Sequence, residues 1–229
     1  MQITKDFASD FARQFELSPN STAFLIVDMQ YATASREMGL GATLSGQGKD
    51  KLAEYRFTRI ESIVIPTIKR LLSFFRQNQL AVLYLTLGSA RSDCNDILPF
   101  LKDFIQACNN KLGEMEHEIL DEIKPQPGEL VINKTTLGAF NSTNLDDILR
   151  SRALTDLVFA GVATNMCIET TARDAADKGF NCVLVEDACA ASKPEYHEAS
   201  LATFQRLFGR VLSSRQVIEE LNSRIEHRE

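Results

Sequence analysis

Tryptophan is absent from the chain, histidine occurs three times, and the five cysteines form no CxxC pair. With Cys94, Cys108, Cys167, Cys182 and Cys189 spaced as they are, a zinc ribbon and thioredoxin-type exchange are excluded, and an odd number of thiols fits a reducing, cytoplasmic setting. His117, His197 and His227 are scattered, so no metal-ligand spacing is legible. The dinucleotide fingerprint is missing: Gly39-Leu40-Gly41 runs on into Ala42, Thr43 and Leu44. The phosphate loop is missing too, because Gln47 stands where Gly41 and Gly46 would require a lysine. No apolar run reaches the ~18 residues needed to span a bilayer. The first twenty residues carry acids where a secretion signal needs an apolar stretch. Basic residues are outnumbered, 25 Lys and Arg against 31 Asp and Glu, which argues against a nucleic-acid partner.

What is present reads as α/β. The chain has 229 residues, 44% hydrophobic and 24% charged, ordinary values for a globular protein. Short apolar runs at 22–28, 80–86, 129–133, 156–161 and 181–187, and a weaker one at 210–213, read as strands. Between them lie helical patterns at 56–78, 143–152, 166–178, 194–208 and 214–227. Strand then helix, repeated, predicts a doubly wound parallel sheet with helices on both faces. One domain over 1–229 is expected, with an N-terminal arm at 1–21. Two stretches break the alternation: a glycine-containing loop at 31–55, and 97–122, which reads as an inserted helical segment with an acidic end.

In such a sheet ligands bind beyond the carboxyl ends of the strands. Asp28 ends the first strand, Lys134 follows the third, and Cys167 lies just inside the helix after the fourth. A buried core thiol is the bland reading of Cys167. The functional reading is a nucleophile whose thiolate the helix N-terminus favours, lowering its pKa. Asp28 then suits a general base and Lys134 a fixed positive charge for thiolate and oxyanion. A rim position predicts that replacing any of the three leaves the fold intact.

These residues, with Ile26-Val27-Asp28-Met29-Gln30, with Gly138-Ala139-Phe140-Asn141-Ser142-Thr143 after Lys134, and with Gly161-Val162-Ala163-Thr164-Asn165-Met166-Cys167, resemble the isochorismatase-like cysteine hydrolases, nearest the ureidoacrylate and N-carbamoyl amidohydrolase branch. The resemblance implies a six-stranded sheet in the order 3-2-1-4-5-6 and an Asp28–Lys134–Cys167 catalytic triad. It also implies a cis peptide before Ala163 and an oxyanion hole from the amides of Ala163 and Cys167. It implies hydrolysis of a small-molecule amide, ureido or N-carbamoyl C–N bond through a thioester, without a cofactor, in a homodimer or homotetramer. Gln30, Phe140 and Asn141 are candidate substrate-binding residues. The metal-dependent nicotinamidase pattern is not matched, since Thr86-Leu87-Gly88-Ser89 lacks its histidine. Isochorismatases proper generally lack the nucleophilic cysteine. A nucleotide-binding module or a non-catalytic scaffold are the remaining alternatives.

Overall fold

A computed structural model describes residues 11–226. Six strands, β1 (Thr22–Val27), β2 (Ala81–Leu87), β3 (Leu130–Lys134), β4 (Asp156–Val162), β5 (Asn181–Ala190) and β6 (Arg210–Leu212), form one sheet in the order β3-β2-β1-β4-β5-β6. Every pairing is parallel. The expected fold is therefore observed. β1 and β4 are buried along their whole length, which is why they read as continuous apolar runs without alternation. β3 is an edge strand, half exposed, and correspondingly less apolar.

Successive side chains of β1 feed opposite faces of the sheet. Phe24 and Ile26 join a core with Ile68, Leu71 and Phe75 of α4 (Ile65–Gln77) and Val217 and Leu221 of α9 (Ser214–Glu226). Ala23, Leu25 and Val27 join a second core under α6 (Leu145–Ser151), α7 (Glu169–Asp177) and α8 (Pro194–Leu207). Strand order reverses between β1 and β4, and the crevice of a doubly wound sheet opens at such a switch point.

Two expectations need correcting. Residues 31–55 are not an irregular loop: they hold α1 (Tyr31–Ala34), α2 (Leu40–Gly46) and a 3-10 turn at Asp50–Leu52. These pieces are too short for a legible helical period and none carries a side-chain cap. α3 (Glu54–Arg59) then continues through a π turn (Ile60–Val64) into α4. Conversely, within 97–122 only α5 (Pro99–Ala107) is a full helix, followed by 3-10 turns at Met115–His117 and Asp121–Ile123. β5 also runs three residues further than the sequence indicates, so Cys189 is a buried strand residue. Part of the N-terminal arm, 1–10, lies outside the described residues. The remainder is docked, with Leu17 fully buried and Arg13 donating to the Phe180 carbonyl at 2.7 Å.

Gly161 is fixed by the switch point. It pairs with Val27 in register, at a φ of +120°, and a Cβ there would lie 2.1 Å from the Val27 carbonyl oxygen.

Candidate active site

Asp28 leaves β1 with a φ of +51° and donates its N–H to the Leu85 carbonyl at 2.8 Å. Its own carbonyl accepts the Thr33 hydroxyl from α1. This turn lifts the side chain off the strand end into the crevice. Lys134 closes β3, opposite Leu87 of β2. β2 separates it from β1, a gap of two ~4.8 Å strand spacings, and its four-carbon stem bridges the gap. The ammonium donates to Asp28 Oδ2 at 2.9 Å and to the Thr136 carbonyl at 3.3 Å. Asp28 Oδ1 is buried and, among the described residues, has no hydrogen-bond partner.

Cys167 arrives from β4 by way of a cis Val162–Ala163 peptide, as expected, and a π turn over Thr164–Ile168. The thiol is 5% exposed and feels both Asp28 and Lys134. One expectation fails here. Cys167 lies in the first turns of the continuous helical stretch from Thr164 to Asp177, as expected, but its pKa is not lowered: burial pushes its thiol up to about 12, assisted by the Asp28 carboxylate and opposed by the Lys134 ammonium. Desolvation outweighs any favourable backbone field, so the resting residue is a thiol. Burial also works against the charge on Lys134, but Asp28 and Cys167 outweigh it and hold the ammonium above its ordinary value.

The three residues are not solvent-facing rim positions: Lys134 is 0% and Asp28 1% exposed. Asp28 and Cys167 line a cavity of about 480 Å³. Thr33, Arg56 and Ser192 complete its polar lining, and apolar walls come from Leu40 and Leu44 of α2 and from Phe100 and Phe104 of α5. The two segments that broke the strand–helix alternation thus enclose the site.

The candidate substrate-binding residues lie elsewhere. Gln30 is fully buried and clamps the chain: its amide nitrogen donates to the carbonyls of Leu87 (3.2 Å) and His117 (2.8 Å), and its oxygen accepts the Leu87 N–H at 2.9 Å. Phe140 packs on Phe180 with ring centroids 6.0 Å apart. Asn141 is exposed and donates to Asp174 at 3.3 Å. None of the three borders the cavity; strand-end sequence position does not tell which way a side chain turns. Arg56 was missed. Its signal was a charge within the buried stripe Ala53, Phe57, Ile60 and Val64.

His117 touches Gln30 and Asn110, and His197 touches Thr164 and Arg59. Among the described residues no three His, Cys, Asp or Glu side chains cluster as metal ligands, and no helix is long and apolar enough to cross a membrane.

An acid, a lysine and a cysteine thus meet at the switch point of a 3-2-1-4-5-6 parallel α/β sheet. Residues 22–216 match the isochorismatase domain, and the chain belongs to the isochorismatase family of hydrolases. It is 31% identical to a ureidoacrylate amidohydrolase of Caulobacter segnis over 211 residues, which cover 84% of this chain and 82% of that protein. The fold matches a cysteine hydrolase from Pseudomonas syringae with a TM-score of 0.76 at 24% identity, covering 93% of this chain and 98% of the other. It also matches an N-carbamoylsarcosine amidase from Thermoplasma acidophilum with a TM-score of 0.63 at 26% identity, covering 85% and 96%.

Proposed function

We propose that the protein is a cysteine-dependent amidohydrolase that cleaves a non-peptide C–N bond of a small amide, ureido or N-carbamoyl compound through a thioester. The observation that carries this reading is the division of labour within one carboxylate. Oδ2 of Asp28 is held by Lys134, while Oδ1 is buried, unpartnered and beside a neutral cysteine. An unpaired buried carboxylate oxygen is costly, and a proton acceptor is what a thiol pushed up to about 12 needs. The named activities of the Caulobacter and Thermoplasma relatives support the same bond type.

In this scheme Asp28 takes the Cys167 proton as Sγ attacks the substrate carbonyl carbon. Lys134 keeps its charge throughout and stabilises the thiolate as it forms. The amides of Ala163 and Cys167 hold the oxyanion. Asp28 returns the proton to the departing nitrogen and the C–N bond breaks, leaving an acyl or carbamoyl group on Sγ. Water, giving a proton to Asp28, attacks this group. The C–S bond breaks and the proton returns to sulfur.

Ammonia release from a panel of amides, ureido acids and N-carbamoyl compounds, with acid-quenched intact mass on the same samples, tests the reading. The expected result is turnover with a transient adduct on the Cys167 peptide. Turnover that survives in Cys167→Ala would overturn it.

A further inference from the structure

Arg56 poses an electrostatic question that the reaction scheme does not answer. It projects from α3 into the cavity that holds Asp28 and Cys167, and only 7% of it is exposed. Its Nε and Nη2 both donate to one acceptor, the Thr33 carbonyl, at 3.3 and 2.9 Å. Thr33 in turn holds the Asp28 carbonyl through its hydroxyl, so the guanidinium is tied to the same strand end as the reacting groups. Among the described residues no carboxylate forms an ion pair with it. The groups that reach it electrostatically are Cys167, then Asp28 and Cys108; Asp28 is the only carboxylate among them and it is committed to Lys134.

A buried cation is normally paired, because desolvating it without a partner is expensive. Burial lowers the guanidinium to about 10, so at neutral pH it still carries its charge. The Asp28–Lys134 pair is neutral as a unit and Cys167 rests as a thiol. The cavity therefore carries one net positive charge, set among leucine and phenylalanine side chains. The Nε–Nη2 edge of Arg56 is engaged by the Thr33 carbonyl, so the Nη1–Nη2 end of the planar guanidinium is what is left to meet a carboxylate.

From this geometry, and taking the cavity to be the substrate site proposed above, we infer that the substrate carries a carboxylate on an apolar body and that Arg56 is the residue that recognises it. The anion that the protein leaves out is supplied by the substrate. Arg56 thereby selects among amides and fixes one end of the molecule while the other faces Cys167. Its placement on the short helices between β1 and β2 makes specificity a property of that segment.

Calorimetric titration at pH 7 with 4-methylpentanoate and its uncharged counterpart 4-methylpentan-1-ol tests the inference without requiring turnover. The wild-type protein is expected to bind the acid at least ~10-fold more tightly than the alcohol, the scale of a hydrogen bond to a charged group. In Arg56→Met, shown folded by its melting curve, the acid loses that advantage. Arg56→Lys, with charge but no fork, retains part of it. Equal binding of the two probes by wild type, failure of the acid to bind, or a preference that survives in folded Arg56→Met would each overturn the inference. The two readings fail separately. Amide hydrolysis with no carboxylate preference removes the role of Arg56 and leaves the amidohydrolase. A carboxylate preference in a protein that releases no ammonia does the reverse.

Discussion

Lys134 and Asp28 form an ion pair at 2.9 Å across 106 residues of sequence, with their side chains 0% and 2% exposed. The pair joins the edge strand β3 to the central strand β1 over the end of β2, so the site is also a structural tie. Removing one partner of a buried pair leaves an uncompensated charge and costs roughly 3–5 kcal/mol. The burial of this pair argues against the expectation, drawn from a rim position, that replacing any of the three leaves the fold intact.

The three variants should therefore separate. Cys167→Ala should keep its melting temperature and lose turnover, because only a small buried thiol is removed. Asp28→Asn should lose on the order of 10²–10⁴-fold in rate, as removal of a general base does, and should also be less stable, since Lys134 then faces an amide. Lys134→Ala should be the least stable, having lost both the ion pair and a buried stem. Melting curves measured beside kcat decide this. A Lys134→Ala protein with wild-type stability and near-full turnover would show that the pair is neither a tie nor part of the reaction.

Alkylation should single out Cys167 by access. Cys108, Cys182 and Cys189 are pushed up to about 12 by burial just as Cys167 is, so acidity cannot distinguish them. Cys167 alone of the five cysteines borders the cavity. Limiting iodoacetamide followed by peptide mapping should find Cys167 modified first. The rate should climb about tenfold per pH unit through the neutral range, because the reactive thiolate is a small fraction there. First modification at Cys94 or Cys189 would contradict the assignment.

Much of this was legible in sequence because it rests on strand ends. β1 and β4 are buried on both faces, and a fully buried strand writes itself as an apolar run whose last residue can be read off. That placed Asp28 and Cys167 beyond buried strand ends, and Lys134 beyond the weaker edge strand β3; position left Cys167 open between a core thiol and a nucleophile, and the family resemblance decided it. What was not legible lies in directions and depths. Gln30 follows a strand end too, yet its side chain turns inward to clamp Leu87. The Cys167 acidity was misjudged because a helix start is visible in sequence and desolvation is not. Arg56 was passed over because a single arginine at the start of the 56–78 helical pattern reads as surface, and its burial comes from tertiary packing that the pattern does not show.

Gly161 should be the least replaceable glycine near the site. Its φ of +120° is strained for any residue with a Cβ, and that Cβ would sit 2.1 Å from the Val27 carbonyl oxygen. Relief would require β1 and β4 to separate one residue before Asp28. Gly161→Ala should cost several kcal/mol, beyond the usual ~1 kcal/mol of a point substitution, and should reduce turnover in whatever fraction stays folded. Gly48→Ala, at a φ of +67° in open space, is the control: it should carry a backbone cost alone. Equal melting temperatures for the two variants would show that the close approach to Val27 is not limiting.

His197 should make the protein acid-sensitive in a defined window. Its Nε2 lies 3.2 Å from Arg59 Nη2 and its Nδ1 2.8 Å from Thr164 Oγ1. A guanidinium can only donate, so Nε2 accepts and Nδ1 carries the hydrogen given to Thr164. Protonation would place a proton on Nε2 facing Arg59. Burial first, and then the Arg59 charge, lower the imidazole from 6.5 to about 4. The unfolded chain thus binds a proton that the folded chain refuses between these values, and stability rises with pH across the interval. The contribution is complete above about 6.5 and is lost as pH falls toward about 4. It amounts to on the order of 3 kcal/mol at its full extent. Urea unfolding at pH 4.5 and 7.5 should show the wild type losing more stability than His197→Gln, which carries no titrating group. Parallel losses in the two proteins would assign the acid sensitivity to other groups.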